Sequence, residues 1–249
     1  MKKQFLVLTT AAASFVIISC SKNRIEPVQP NQDPVAEQTA SSHAPAERLV
    51  INPLNVNLEG SFQFNGDLKD QTRKLAEGTP TTRGVTYTSD RKGKLNGAIY
   101  LNGTYGIKLK KIPQQTHTSI SVWVKPGLIN SPGLSYIAGS SAYGPVINHI
   151  SNLLSGGVVM NSTIPGGVYY FNNTDWRHLV VTYDGADVKF YVNGILADTN
   201  NEPGYIPTSL ADYFIGCLPG FLLWKGKIDD LRFYSRTLTT TDVQQLYSL

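Results

Sequence analysis

Cysteine is nearly missing from this sequence: Cys20 and Cys217 are the only two in 249 residues. Two thiols are too few for a thiolate zinc cluster. Charge of one sign is missing as well, since 22 Lys and Arg face 18 Asp and Glu for a formal net charge of +4. The basic residues are scattered singly and in pairs, without the electrostatic footprint that a phosphate backbone selects, so no nucleic acid is expected as a partner. After residue 18 no stretch reaches the roughly 20 apolar residues that a bilayer span requires. Neither a Gly-x-Ser-x-Gly elbow nor a phosphate loop occurs.

What is present begins at the N-terminus. Lys2 and Lys3 precede an uncharged apolar run from Phe5 to Ile18 that stops at the small Ser19, the pattern of a secretory signal over residues 1–19. The next residues decide how the exported chain is held. Ile17-Ile18-Ser19-Cys20 resembles the lipobox of bacterial lipoproteins, although Ile17 and Ile18 depart from its usual Leu and small residue. The resemblance implies lipidation of Cys20 and a place in the cell envelope, anchored to the outer membrane. Several acyl chains on one cysteine hold far more firmly than one. Cys217 would then lack a partner within the chain, and no intrachain disulfide is expected.

Residues 20–48 contain no aromatic side chain, and Pro27, Pro30, Pro34 and Pro45 are spaced among polar and small residues. That composition cannot bury a core. It reads as a flexible tether with a reach of roughly 30 Å. Residues 49–249 are long enough to bury a core without disulfides.

Within this domain the apolar period is two. Ile120, Val122 and Val124 alternate with Ser121, Trp123 and Lys125; Leu179, Val181 and Tyr183, then Val188, Phe190 and Val192, repeat the pattern. Asp184-Gly185 and Asn193-Gly194 supply tight-turn chemistry between strands. Only the C-terminus reads as helix, with Thr239 to Asp242 as a cap and Val243, Leu246 and Tyr247 on one side.

Six segments in order resemble the laminin-G-like domains of the concanavalin A-like lectin/glucanase superfamily. They are Phe62 to Asp70, Asp90 to Gly93 with Gly97 to Gly103, Ile120 to Pro126, Trp176 to Gly185, Phe190 to Gly194, and Gly226 to Tyr234. The resemblance implies an all-β, two-sheet antiparallel jelly-roll sandwich with a short C-terminal helix. Segments 129–165 and 199–223 match least and are expected to be the individual loops.

The superfamily hosts lectins, carbohydrate-binding modules, glycosidases and adhesive domains, so function rests on sites. Glycosidases need two carboxylates across one groove. Family members that hydrolyse β-glucans carry them as Glu-x-Asp-x-x-Glu, and this sequence lacks that motif; only a distant pair such as Glu202 with Asp212 is available. No catalytic residue is assigned. Asp229 is expected on the same strand face as Leu231 and Phe233, with Asp230 on the other face paired to Arg232. A core-edge carboxylate at Asp229 needs a cation, an arginine or several N–H groups. The resemblance implies a structural Ca²⁺ there, with Asp67 as a second ligand. For sugar contact, which pairs a ring face with polar groups, Tyr143, Tyr205 and Trp224 are chosen because they lie in or next to the divergent segments, while Trp123 and Trp176 are read as packing residues. The reading is thus a tethered, non-catalytic module for glycan or glycoprotein. Its rivals are a structural or adhesive lipoprotein docking a protein, and a divergent glycosidase.

Overall fold

The computed structural model describes residues 52–82, 84–140, 142–160, 166–218 and 221–249. The signal, Cys20 and the tether lie outside the described residues. Residues 49–249 make one compact unit. Among the described residues no helix is long and apolar enough to cross a membrane.

After a 3-10 turn at Pro53–Asn55 the strands follow in order: β1 Leu58–Phe62, β2 Thr79–Pro80, β3 Thr86–Thr88, β4 Ala98–Asn102, β5 Ile107–Gln114, β6 Thr118–Pro126, β7 Ser131–Ser140 and β8 Gly144–Ser151. Then come β9 Leu153–Val159, β10 Gly166–Tyr170, β11 Arg177–Tyr183, β12 Asp187–Val192, β13 Ile195–Asn201, β14 Ser209–Ile215, β15 Lys225–Tyr234 and the helix α1 Thr240–Ser248. Among the described residues they form two antiparallel sheets. Sheet A runs β13-β12-β11-β6-β15-β4-β3, with β1 also paired to β15; sheet B runs β10-β9-β8-β7-β14-β5-β2. This is the two-sheet antiparallel sandwich that the family resemblance implied.

The alternating residues behave as their period demands. Ile120, Val122, Val124, Leu179, Val181, Tyr183, Val188, Phe190 and Val192 all join the main core between the sheets. Full burial of one such aliphatic or aromatic side chain is worth roughly 1.5–3 kcal/mol. The sheets approach closely where Gly156 faces Phe190 and Val181, because a Cβ there would come within 2.3 Å of Phe190 and 2.6 Å of Val181. Both expected hairpin turns form: Asn193, Gly194 and Gly185 adopt positive φ, and Asp184 Oδ1 accepts from the Ala186 and Asp187 N–H groups.

A second, smaller cluster lies on the outer face of sheet A. There Val243 and Leu246 of α1 cover Val180 and Tyr191 together with Leu54, Leu58, Tyr234 and Leu238. Thr239 caps α1 in a reciprocal box, its Oγ1 accepting from Asp242 N while Asp242 Oδ2 accepts from Thr239 N.

The divergent segments are not mainly loops. Residues 129–165 contain β7, β8 and β9, and 199–223 contain β14, which together form the middle of sheet B. The period of two in β7 is broken by register shifts at Ser131/Ser135 and Tyr136/Ala138, and opposite Ala211/Tyr213 the extra residue falls on β5, where Lys111 takes a φ of 59°. A bulge moves every later side chain to the opposite face of a simple alternation.

Candidate functional site

The outer face of sheet A carries polar and aromatic groups where an all-apolar face would otherwise need more cover. Ser121 and Trp123 project from β6 opposite Val180 and His178 of β11, and Asp229 of β15 sits opposite Trp123. Asp229 is on this face because β15 bulges. The register shifts between Asp229 and Arg232, and Asp230 takes a φ of 43°. Thus Ile228, Leu231 and Phe233 enter the core, while Asp229 turns away from it. The expected sharing of a face with Leu231 and Phe233 is corrected, as is the pairing of Asp230 with Arg232.

Both carboxylates pair with Arg91. Its Nη1 lies 2.5 Å from Asp229 Oδ2 and its Nη2 lies 2.8 Å from Asp230 Oδ2. The loop between β3 and β4 delivers this arginine, bent around Asp90, whose Oδ1 accepts from Lys92 N and Lys94 N at 2.8 Å each. The guanidinium also stands 4.7 Å from the Trp123 ring centroid. Burial and the Asp230 charge push Asp229 up to about 7 against the lowering effect of Arg91. A calcium ion at Asp229 would have to displace the guanidinium from the oxygen it holds. Asp67 caps Lys69 N in its own turn, and among the described residues no three His, Cys, Asp or Glu side chains gather as a metal centre requires.

His178 packs at 5.2 Å from Trp123, and its Nε2 lies 2.8 Å from Ser121 Oγ. Its Nδ1 has no hydrogen-bond partner among the described residues. Burial, then the charges of Arg91 and Arg232, push the imidazole down to about 3. A serine and histidine in contact suggest a nucleophile and base, but no acid orients Nδ1 and both residues are buried. The pair is part of the packing.

Beside this stack runs an open groove of about 390 Å³ lined by Arg91, Lys92, Trp123, Trp176, Tyr247 and the C-terminal Ser248 and Leu249. Tyr247 stacks on Trp123 at 5.5 Å and 17° and remains 43% exposed. Trp176 is half-buried, and none of the ring contacts that enclose Trp123 falls on it. Trp176 and Tyr247 therefore offer ring surface next to Arg91, held by its two carboxylates, and Lys92, whose Nζ donates to Leu249 O.

The three expected sugar contacts are not brought together. Trp224 lies at the end of the sandwich where β6 finishes; it is fully buried and donates from Nε1 to His149 Nδ1 at 3.3 Å, leaving no free ring face. His149 Nε2 in turn bonds Ser151 O. Tyr143, in the β7–β8 turn, and Tyr205 lie at the opposite end. Tyr143 is half-buried against the main core, while Tyr205 is 66% exposed next to Ile206, whose N–H donates to Thr116 Oγ1. Asp212, once a candidate acid, is held by Lys108 at 2.6 Å, and that bond lowers its pKa. Trp176 was visible in the sequence as a tryptophan beside a strand start, but only the fold reveals that it stays half-exposed in the groove.

The family model described as the concanavalin A-like lectin/glucanases superfamily matches residues 102–244. The chain belongs to this superfamily. Among solved members of similar fold is domain 4 of AbnA, an extracellular arabinanase from Geobacillus stearothermophilus, determined in complex with arabinotriose. It is 26% identical, with a TM-score of 0.63, covering 77% of this chain and 98% of that domain. The binding domain of botulinum neurotoxin DC in complex with SialylT gives 17% identity and a TM-score of 0.64, and that of serotype D gives 16% and 0.66. Those matches cover 78% and 79% of this chain but 52% and 53% of the toxin domains, about half their length. None of the curated protein sequences compared matches the chain.

Proposed function

We propose that this superfamily member is an extracytoplasmic module, tethered to the outer membrane through acylated Cys20, that binds glycan or glycoprotein without catalysis. The observation that carries the reading is the likeness to a complete arabinanase domain in complex with arabinotriose. The groove supplies part of the matching chemistry: Trp176 and Tyr247 present ring surface to the CH face of a sugar, beside a basic edge formed by Arg91 and Lys92. The neighbouring carboxylates, Asp229 and Asp230, are tied to one guanidinium, which favours binding over acid and base chemistry.

Titration of residues 49–249 with arabinotriose, alongside a glycan array, tests the reading. At least one glycan is expected to bind, and Trp176→Ala is expected to weaken it by about tenfold or more, the effect of losing a central aromatic contact. A folded domain that binds no glycan on the array would overturn the glycan reading in favour of an adhesive lipoprotein docking a protein.

The anchoring is tested separately. Full-length chain labelled with a palmitate analogue is expected to be acylated and membrane-bound, and Cys20→Ala to be unlabelled and released. Equal labelling of the two would remove the lipid anchor from the proposal.

A further inference from the structure

We infer that the end of the sandwich where β6 finishes is a second, lipid-free docking surface for a bilayer containing anionic headgroups. The β6–β7 connection and residues 221–225 meet there, joined by Gly127 N to Lys225 O at 3.0 Å and Tyr136 N to Leu222 O at 2.8 Å. Between them is an open depression of about 470 Å³ with Leu128, Pro132, Leu134, Leu222 and Leu223 in its lining. Leu128, Leu134 and Leu223 are 44%, 43% and 40% exposed, and Phe221 and Ile129 beside them are 57% and 36% exposed. Single exposed apolar side chains are ordinary, but a contiguous group marks a contact surface.

The charge around the group selects the occupant. Lys225 lines the depression, no carboxylate does, and Lys125 and Lys227 face each other across β6 and β15 one step further in. None of these three lysines has an ion pair among the described residues. Protein interfaces concentrate aromatics and arginine and are depleted in lysine. A bilayer interface takes aliphatic side chains into the acyl boundary while lysines reach anionic phosphates. The aliphatic tips and free lysines fit the bilayer. β1 begins at the other end of sheet A, since Leu58 pairs with Tyr234.

The test is sedimentation of residues 49–249, which contain both hydrophobic clusters, with vesicles of phosphatidylcholine alone or with a third phosphatidylglycerol. Sedimentation is expected with the anionic vesicles and is expected to weaken at high salt. The pair Leu134→Asp with Leu223→Asp, and the pair Lys125→Glu with Lys225→Glu, are each expected to lower partitioning by about tenfold or more. Both pairs alter exposed or half-exposed positions, and unchanged thermal melting confirms that they fold. Trp176→Ala is expected to leave vesicle binding intact, which separates this result from the fate of the glycan reading. No sedimentation with either vesicle overturns the inference and assigns the surface to a protein partner; sedimentation unaffected by both double variants overturns it as well.

Discussion

Replacing Arg91 with methionine is expected to lower the unfolding free energy by about 3–5 kcal/mol, the range for removing one partner of a buried ion pair. Methionine keeps much of the apolar stem, so the loss is that of the guanidinium. The Arg91 and Asp229 side chains are 10% and 3% exposed, and Asp230 is 19% exposed. Without Arg91 two neighbouring carboxylates share a poorly hydrated site with no counterion. Protonating one of them relieves the repulsion, so the deficit should be larger at pH 8 than at pH 5. Arg91→Lys should recover only part of the loss, since an ammonium cannot reach both carboxylates as a planar fork does. Chemical denaturation at the two pH values measures this. A deficit below about 1 kcal/mol, or one that ignores pH, would show that the three-residue pairing is not what holds the β3–β4 loop to the sheet.

The second large effect is a pair of opposed acid responses on one sheet face. His178 is pushed down from an ordinary 6.5 to about 3. The unfolded chain therefore binds a proton first, and the contribution of His178 to stability, complete above pH 6.5, is lost as pH falls toward 3. Asp229 moves the other way, from 3.8 to about 7. Here the folded chain binds the proton first, so stability is gained as pH falls from 7 toward 4. Each group contributes a slope of about 1.4 kcal/mol per pH unit, and between about pH 4 and 6.5 the two slopes cancel. His178→Gln removes one of them. Relative to the parent protein its stability should rise as pH is lowered through that window, by about 3 kcal/mol in all, and Asp229→Asn should show the reverse. Two denaturation curves that stay parallel to the parent across pH 4 to 7 would refute the opposition.

Legibility in the sequence followed the regularity of the backbone. Strands β6, β11 and β12 keep an unbroken period of two, and their apolar members point where the alternation says. The Thr239 cap and the Asn193-Gly194 turn are local chemistry and were equally readable. Sheet B was hidden because its central strands shift register and place glycine where a side chain would strike the opposite sheet, as at Gly156. The bulge at Asp230 was concealed for a different reason. A positive φ usually announces itself with glycine, but aspartate tolerates the left-handed region, so the sequence showed a plain strand. That one residue decided the face on which Asp229 stands, and with it the choice among cation, arginine and N–H partners. Long-range pairing was beyond reach altogether, since Arg91 and Asp229 are 138 residues apart. The burial of Trp224 was hidden for a like reason: exposure depends on what the rest of the fold lays over a ring.

β15 lies in the interior of sheet A, with β6 on one side and β4 and β1 on the other. Until residues 225–234 are available, β1 and β4 have nothing to join them to β6, and sheet A exists as two fragments with open edges. Closure of sheet A therefore waits for residues 225–234, whatever order the earlier strands pair in. Pairings so distant in sequence form slowly, and any truncation before Tyr234 would leave β1, β4 and β6 with open edges able to pair with other chains.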